Sequence, residues 1–116
     1  MQHESSRPLR IGELLRRELA ALLRAEVNDP RIPEIVIYEI VVNRDLSLAK
    51  VYFSHLDSKQ DVTESLKGLQ SARGFLRTRL GHKLQLRRIP QLQFIVDDTE
   101  TKSERIEKLI DDSIRS

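Results

Sequence analysis

The spacing of apolar residues in the first half of the chain predicts an amphipathic helix followed by a β-hairpin. Over residues 11–27, Leu and Ile recur every three or four positions with Arg and Glu between them, which is the period of a helix with one buried face. Residues 35–42 and 48–56 are instead rich in β-branched and aromatic side chains, which favours two strands. Turn-forming residues 43–45 lie between these segments, so we expect an antiparallel hairpin.

The second half of the chain carries the pattern of a helix, a strand and a terminal helix. A capping pattern at Asp61 is followed by apolar residues at helical spacing as far as Leu80, and we expect Gly81 to end this helix. Apolar and polar residues alternate over residues 92–96, which predicts a third strand. A second capping pattern and a short apolar stripe favour a C-terminal helix from Thr101 onward.

These elements describe one α+β domain with the order helix, strand, strand, helix, strand, followed by a helical tail. We place the domain at residues 7–98 and the tail at residues 99–116. A chain of 116 residues with 39% hydrophobic and 33% charged residues has the size and composition that form a single core. It contains no Cys, and no apolar run approaches the ~20 residues that span a bilayer. We therefore expect a cytoplasmic protein without a membrane segment.

The charges are distributed unevenly along the chain. Residues 65–96, called the basic window below, contain seven of the 20 Lys and Arg residues and none of the 18 Asp and Glu residues. The remainder of the chain is net acidic, although the formal net charge of the whole chain is +2. Clustered cationic charge attracts polyanions, of which nucleic acid is the commonest in a cytosol. An RNA-binding surface is one interpretation of the basic window, and a solvated face of a helix and loop is the other.

The chemistry of an enzyme active site is missing from the pattern. The three His residues, at positions 3, 55 and 82, have no second His or carboxylate at metal-binding spacing. No phosphate loop, dinucleotide fingerprint or nucleophile elbow occurs. Asp97 and Asp98 are neighbours on a strand and would point to opposite faces, so we interpret them as the polar end of a buried strand. We expect no enzyme activity, no metal and no cofactor.

Four local signatures occur together in one order along the chain. They are Asp29-Pro30-Arg31 at the end of the first helix, residues 43–52 (NRDLSLAKVY), residues 72–77 (ARGFLR) and residues 86–94 (LRRIPQLQF). Together with Arg7, Pro8 and Arg10 at the start, they resemble the ribosome-binding factor A family of bacteria over residues 7–98. Any one of these signatures alone is weak, whereas four in register are specific.

The resemblance implies a type-II KH-like fold in which a kinked helix pair marked Ala-x-Gly, here Ala72 and Gly74, replaces the Gly-x-x-Gly loop of other KH domains. It also implies a non-catalytic factor for late maturation of the small ribosomal subunit. Such a factor binds 16S rRNA on the free 30S subunit near the decoding region, supports processing of the 5′ end of 16S rRNA and helps growth in the cold. Neighbouring ribosomal proteins are further expected contacts, and we expect a monomer.

The basic residues themselves indicate where RNA would bind. The candidate RNA-binding residues are Arg73, Arg77, Arg79, Lys83, Arg87 and Arg88, together with Arg7 and Arg10 from a second, weaker basic group at the first helix that also contains Arg16 and Arg17. Arg73 and Arg77 share one helix face, and Gly74 has no Cβ to keep a phosphate or another backbone away. For the second group, ordinary solvation of the helix is an equal alternative.

Aromatic residues are scarce in the basic window, which bears on how RNA would be recognised. Phe75 lies on the apolar stripe of its helix, and we expect it in the core. Few aromatic side chains are therefore available to stack on bases, and we infer that the protein recognises the shape and the phosphates of folded rRNA. A small module that binds a protein partner through its basic face or exposed sheet stays the alternative.

Overall fold

The computed structural model describes residues 3–57 and 59–97. The elements, in order, are α1 (His3–Ala25), β1 (Ile35–Val42), β2 (Leu48–His55), α2 (Val62–Leu84) and β3 (Gln91–Val96). The α+β class and the order helix, strand, strand, helix, strand are therefore confirmed. The predicted tail, residues 99–116, and its helix lie outside the described residues.

The three strands form one mixed sheet with β2 in the centre. β1 runs antiparallel to β2, as the hairpin prediction required, whereas β3 is parallel to β2 and is reached through the crossover helix α2. α1 packs against β1, α2 packs against β3 and the helices contact each other, so both helices lie on one face of the sheet. The pairing of β1 with β2 shifts register between Ile37 and Glu39, where a β-bulge adds one residue to β1.

The core lies between the sheet and the two helices. Alternate residues of β2 and β3 point into it, which is the period of strands with one buried face. At its centre the Phe53 ring meets the Phe94 ring edge to face, with 6.4 Å between the ring centroids. The helices contribute the fully buried side chains of Leu15, Leu19, Leu69, Leu76 and Leu80. Burying each such Leu contributes about 1.5–3 kcal/mol, so these stripes hold both helices on the sheet.

α1 is longer than the sequence indicated and lies very close to β1. It begins at His3 instead of near residue 11, so Pro8 lies inside the helix, where its missing N–H removes one hydrogen bond. Gly12 makes the close approach possible, because a Cβ there would be only 2.5 Å from the carbonyl oxygen of Ile40. That oxygen belongs to the backbone of the sheet and cannot turn aside, so the contact requires glycine.

α2 also extends beyond its expected end. It continues past Gly81 to Leu84, and Gln85 then ends it in the left-handed region with a φ of 53°. The prediction that Gly81 ends the helix is therefore wrong. Gly81 faces the returning chain instead, because a Cβ there would lie 3.3 Å from Ile89 Cγ1. Leu84 packs against the edge of the core, which explains why the last turn stays helical.

α2 runs without interruption across Ala72 and Gly74. Among the described residues, nothing lies within 4 Å of the position that a Cβ of Gly74 would occupy, so no other described backbone uses the space that this glycine leaves. Thr78 Oγ1 donates to the carbonyl oxygen of Gly74 at 3.0 Å, and bonds of this kind bend helices slightly. A kink of the axis at Ala72 and Gly74 stays a prediction, with this hydrogen bond as a physical cause for it.

The connection between α1 and β1 is held by Asp29. Its carboxylate accepts hydrogen bonds from the backbone N–H of Arg31 at 2.9 Å and from the Arg31 guanidinium, at 3.1 Å to Nε and 2.8 Å to Nη2. The side-chain bonds, and then the backbone bond, lower the pKa of Asp29. Ile32 lies against α2, where a Cβ on Gly68 would approach Ile32 Cγ1 to 2.7 Å. The segment therefore has a structural role, and Arg31 pairs with a nearby acid.

Gly12 and Gly74 predict opposite effects of alanine. In Gly12→Ala the new methyl group clashes with the Ile40 carbonyl, and we expect the free energy of unfolding to fall by about 1–3 kcal/mol, as in overpacked cores. In Gly74→Ala the methyl group meets open space and the helix propensity improves, so we expect a gain of up to about 1 kcal/mol. Urea denaturation followed by circular dichroism measures both. A loss of stability in Gly74→Ala would show instead that α2 needs glycine at a bend.

Arg77 fastens the connection between α2 and β3, and its replacement should loosen that connection. Its guanidinium donates to the carbonyl oxygens of Ile89, at 2.9 Å, and of Pro90, at 3.1 Å. Hydrogen bonds to a charged group are worth about 1.5–3 kcal/mol each, and Arg77 is only half-buried, so we expect Arg77→Gln to lose about 1–3 kcal/mol in total. Arg73→Gln is the matched control, because exposed Arg73 bonds only to the Gln70 carbonyl of its own helix. Equal urea midpoints for the two variants would contradict this role of Arg77.

Candidate nucleic-acid interface

Three segments meet at one edge of the sheet. Because β1 is antiparallel and β3 is parallel to β2, the end of β1 and the beginnings of β2 and β3 share this edge. The backbone N–H of Gln91 donates to the carbonyl oxygen of Ser47 at 2.9 Å, which joins the α2–β3 connection to the β1–β2 turn. The start of α1 reaches the same edge. A cavity of about 180 Å³ lies between the start of α1, the β1–β2 turn and the α2–β3 connection. The cavity is lined by Arg7, Ile11, Asp45, Leu46, Leu86, Arg87, Arg88 and Pro90.

We call Arg7, Arg87 and Arg88 the arginine cluster. All three are exposed, and none forms an ion pair or a side-chain hydrogen bond with another described residue. Among the described lining residues Asp45 is the single carboxylate; hydrogen bonds from Ser47 lower its pKa, with a smaller contribution from the charge of Arg88. Three guanidinium groups against one carboxylate leave a net positive charge around the cavity, which favours an anionic ligand.

The β1–β2 turn presents Asp45 and Leu46 to the cavity in a fixed conformation. The side-chain oxygen of Asn43 accepts hydrogen bonds from the backbone N–H groups of Ser47 and Leu48, both at 2.9 Å. The Asp45 carboxylate accepts from the backbone N–H of Ser47 at 3.1 Å and from its Oγ at 2.6 Å. Leu46 has a φ of 63°, in the left-handed region that costs a residue other than glycine roughly 1–2 kcal/mol. The hydrogen bonds of the turn offset this strain.

Two fixed points set the position of Arg87 and Arg88. Gln85 ends α2 in the left-handed conformation, which turns the chain away from the helix axis. On the other side, Arg77 holds the carbonyl oxygens of the two residues just before β3. Leu86 lies between them as a half-buried apolar residue beside the core. The two arginines are therefore presented from a short segment that is anchored at both ends.

The remaining cations of the basic window are largely engaged within the protein. Lys83 Nζ lies 3.7 Å from Glu18 Oε1, and the Arg79 guanidinium forms an ion pair with Glu26. Both acids come from α1 or directly follow it, so the fold brings carboxylates to a window whose own sequence has none. Arg77 is occupied by the two carbonyl groups. Contact of RNA with Arg77, Arg79 and Lys83 stays a prediction, and in the structure Arg77 is hydrogen-bonded and Arg79 and Lys83 are ion-paired with other described residues.

Phe75 is exposed on α2, contrary to the expectation that it lies in the core. Its exposed fraction is 46%, because Leu76, the next residue, takes the buried position and one residue turns a helix by about 100°. The Arg79 guanidinium lies 5.9 Å from the centroid of the Phe75 ring, as a cation–π contact. An exposed ring of this kind is a stacking platform for an RNA base. Arg73, also exposed, lies on the same helix.

The arginine cluster unites residues from opposite ends of the chain. In the sequence, Arg7 and Arg10 form a second group with no evident relation to the basic window, yet the fold places Arg7 beside Arg87 and Arg88. Arg10, one turn further along α1, is exposed. Sequence patterns also miss the apolar residues of the cavity, since Ile11 and Leu86 resemble ordinary core positions. The signal that could have found Leu46 is its place between turn-forming residues, where an apolar side chain is unusual.

A larger cavity of about 340 Å³ lies between the end of α1 and the beginning of β1. Apolar side chains such as Leu23, Ile32 and Ile35 form most of its wall. Arg24 and Glu34 are the only charged residues in the described part of its lining, and their charges balance. This cavity therefore has no preference for an anion, unlike the one beside the arginine cluster.

Within residues 3–57 and 59–97, no three His, Asp or Glu side chains are grouped as metal ligands, and none of the helices there could cross a bilayer. His55 Nε2 and Ser65 Oγ are hydrogen-bonded at 2.6 Å, but Ser65 is fully buried and also donates to the carbonyl oxygen of Asp61. This pair ties the beginning of α2 to the end of β2, and its serine is closed to a substrate.

Comparison with known proteins gives a consistent result. Residues 7–110 match the family model for ribosome-binding factor A. The ribosome-binding factor A of Thioalkalivibrio sulfidiphilus is 43% identical over 98% of this chain and 88% of that protein. The corresponding protein of Nitrosospira multiformis is 43% identical over 100% of this chain and 92% of that protein.

Known structures agree with the sequence comparison. The crystal structure of ribosome-binding factor A from Thermus thermophilus superposes with a TM-score of 0.68 at 25% identity, covering 77% of this chain and 94% of that one. A homology model of the T. thermophilus factor, fitted into a cryo-EM map of its complex with the 30S subunit, gives a TM-score of 0.59 at 27% identity over 71% of this chain and 86% of that one. The resemblance drawn from the four signatures is confirmed, and this chain belongs to the ribosome-binding factor A family.

Proposed function

We propose that this protein binds the rRNA of the small (30S) ribosomal subunit through its arginine cluster and takes part in the maturation of that subunit. The observation that carries the proposal is the convergence of three exposed arginines from both ends of the domain around one cavity. The 30S subunit is the partner in the fitted complex of the T. thermophilus relative, which supports the same partner for this chain. The ligand we propose is 16S rRNA on the free subunit.

Phosphate contacts supply the attraction. A guanidinium forms paired hydrogen bonds with phosphate oxygens, and each contact releases counterions from the RNA. Such contacts position a protein but carry no sequence information. Because Arg87 and Arg88 lie on an anchored segment and Arg7 on a helix, the cluster has a defined spacing. Recognition then depends on rRNA folded so that its phosphates match that spacing, and exposed Phe75 adds a surface on which one base can stack.

The proposed role in rRNA processing needs binding and no catalysis by this protein. A bound protein that fixes the positions of rRNA segments stabilises the subunit conformation in which a separate nuclease cuts the 5′ end of 16S rRNA. Cations and apolar side chains are sufficient for that task. We propose that the factor acts as a monomer in the cytoplasm, and that its loss matters most in the cold, where rRNA rearranges slowly.

Docking of a protein partner is the second candidate function, and one observation favours it. The apolar cavity between α1 and β1 has the larger volume, about 340 Å³, and nearly balanced charges. An apolar protein segment would fit such a wall, whereas RNA phosphates would not. The two candidates differ in how binding depends on salt, which makes them separable.

Neutralising the arginine cluster should weaken binding to the subunit and make that binding less dependent on salt. In the triple variant Arg7→Gln, Arg87→Gln, Arg88→Gln, each lost phosphate contact should reduce the magnitude of the slope of log affinity against log salt by roughly 0.7–0.9, or by roughly 2.1–2.7 for the three. Co-sedimentation of the protein with purified 30S subunits, repeated over a series of KCl concentrations, measures the slope.

The matched control removes the same charge from other surfaces, as Arg24→Gln, Lys50→Gln, Lys59→Gln, all of which are exposed. We expect little change in slope for this control. Equal losses from the two triple variants would show that net charge governs binding. Binding that does not depend on salt in the unmodified protein would favour the apolar protein interface.

Processing of 16S rRNA should depend on the same arginines. In a strain that lacks its own factor, the unmodified protein should restore mature 5′ ends at low temperature, and the cluster variant should leave precursor 5′ ends. Primer extension on 16S rRNA measures the ratio of the two ends. Full restoration by the cluster variant, at an equal protein level, would separate processing from rRNA binding by this surface.

A further inference from the structure

We propose that the cavity beside the arginine cluster holds one unpaired nucleotide of rRNA, with its base against the apolar wall and its phosphate between the arginines. This inference rests on the proposed function and adds to it a specific site and ligand class. It differs from phosphate contact alone, because it requires a base to leave its stack and enter the protein. Single unstacked nucleotides are a common target of proteins that bind folded RNA.

The size of the cavity fits a ligand of one ring system. Its volume is about 180 Å³, the space of roughly six waters at about 30 Å³ each. Pockets that enclose drug-sized ligands are larger, at about 300–1,000 Å³. A single nucleotide, with its base in the cavity and its phosphate at the rim, is therefore a better match than an oligonucleotide or an entire peptide.

The wall divides into an apolar part and a charged part. Ile11, Leu46, Leu86 and Pro90 form the apolar part, while Arg7, Arg87 and Arg88 are exposed around it. An inorganic anion would use only the charged part and leave the apolar part in water. A nucleotide uses both at once, because it combines a flat apolar face with a phosphate. This combination is the charge and shape complementarity that selects the occupant.

Leu46 provides a second, independent observation. A leucine in the left-handed region is strained, and hydrogen bonds among four of its neighbours, Asn43, Asp45, Ser47 and Leu48, hold the turn in that conformation. Asn or Gly would adopt the same backbone without strain and would keep the turn. The strained leucine instead places an apolar side chain where the cavity needs a wall. Strain of this kind is concentrated at sites that bind ligands.

Arg87 and Arg88 follow Leu86 directly, so the apolar and charged parts of the wall come from one segment. Because that segment is anchored by Arg77 at its β3 end, the base and the phosphate would be gripped at a fixed separation. Asp45 closes the opposite side, where its carboxylate accepts from Ser47 and leaves its outer lone pairs for an N–H donor of a base. A flipped nucleotide thus has a partner for the face of its base, for an N–H group of its base and for its phosphate.

The test titrates the full chain, with its Ile and Leu methyl groups labelled with carbon-13, against four small probes. These are AMP, UMP, inorganic phosphate and N-acetylglutamate, the last standing for an acidic protein segment. We expect AMP or UMP to shift the methyl resonances of Ile11, Leu46 and Leu86 and to bind roughly tenfold more tightly than phosphate, since one face of a base is buried in addition. Equal affinity for phosphate would reduce the cavity to an anion site. Equal affinity for N-acetylglutamate would assign it to a protein carboxylate. Either result overturns the proposal.

A variant of the apolar wall and a control variant test whether the wall contributes to nucleotide binding independently of the charges. Leu46→Gly removes the apolar side chain and relieves the strained backbone, so the turn should persist while affinity for AMP falls roughly fivefold or more and that for phosphate is unchanged. Leu56→Ala is the control, because Leu56 is an exposed leucine, 62% accessible, at the other end of the sheet. Loss of AMP binding in this control, or none in Leu46→Gly, would contradict the proposed wall.

Failure of this inference is distinguishable from failure of the proposed function. If no nucleotide binds the cavity but the arginine-cluster variant still loses 30S binding with a flattened salt slope, the RNA interface stands and the nucleotide site is wrong. If AMP binds as expected but the cluster variant binds 30S subunits normally, the site exists and its assignment to rRNA on the subunit is wrong. Agreement of both experiments is required for the proposal to hold.

Discussion

The close contact between α1 and β1 is the constraint on which the candidate site depends. At Gly12 the helix lies so near the carbonyl oxygen of Ile40 that no side chain fits between them. Ile11, the preceding residue, is buried and also lines the cavity, and Arg7 lies one turn before it on the same helix face. A helix held farther from the sheet would carry Arg7 away from the α2–β3 connection. The position of one cation in the cluster is therefore decided by backbone packing that is itself independent of charge.

Ion pairs between the helices decide which cations are left for a ligand. Glu18 lies opposite Lys83, and Glu26 lies opposite Arg79, so the middle of the basic window is partly neutralised by α1. Exposed pairs of this kind add little stability, typically about 0.2–1 kcal/mol each, but they lower the local positive potential. The arginine cluster, whose side chains pair with no other described residue, is then left as a positive charge at the edge of the sheet. A long basic tract in sequence has become a small, localised cluster in the fold.

The sequence was sufficient for elements that follow from periodicity and insufficient for features that arise from packing between distant segments. The two strands of the hairpin and the leucine stripes repeat at fixed intervals, so each could be recognised locally. Phe75 lies one position from buried Leu76, and only the packed orientation of α2 shows which of them faces solvent. Likewise, nothing adjacent to Gly12 in sequence reveals that a carbonyl of β1 will lie against it. The proximity of Arg7 and Arg87 likewise arises from packing between distant segments, since the two residues come from opposite ends of the domain.

The candidate site combines rigid backbone with mobile side chains, and this combination suits a protein that acts by binding alone. The β1–β2 turn and the α2–β3 connection are each fixed by hydrogen bonds, so little backbone entropy is lost when RNA binds. The arginines at their surface are exposed and can adjust to phosphates. Selectivity for the shape of the RNA then comes from the backbone, because it fixes the positions from which the arginine side chains extend. Affinity comes from the guanidinium groups. A protein that recognises base sequence in the groove of a duplex would need the reverse arrangement, with rigid side chains directed at base edges.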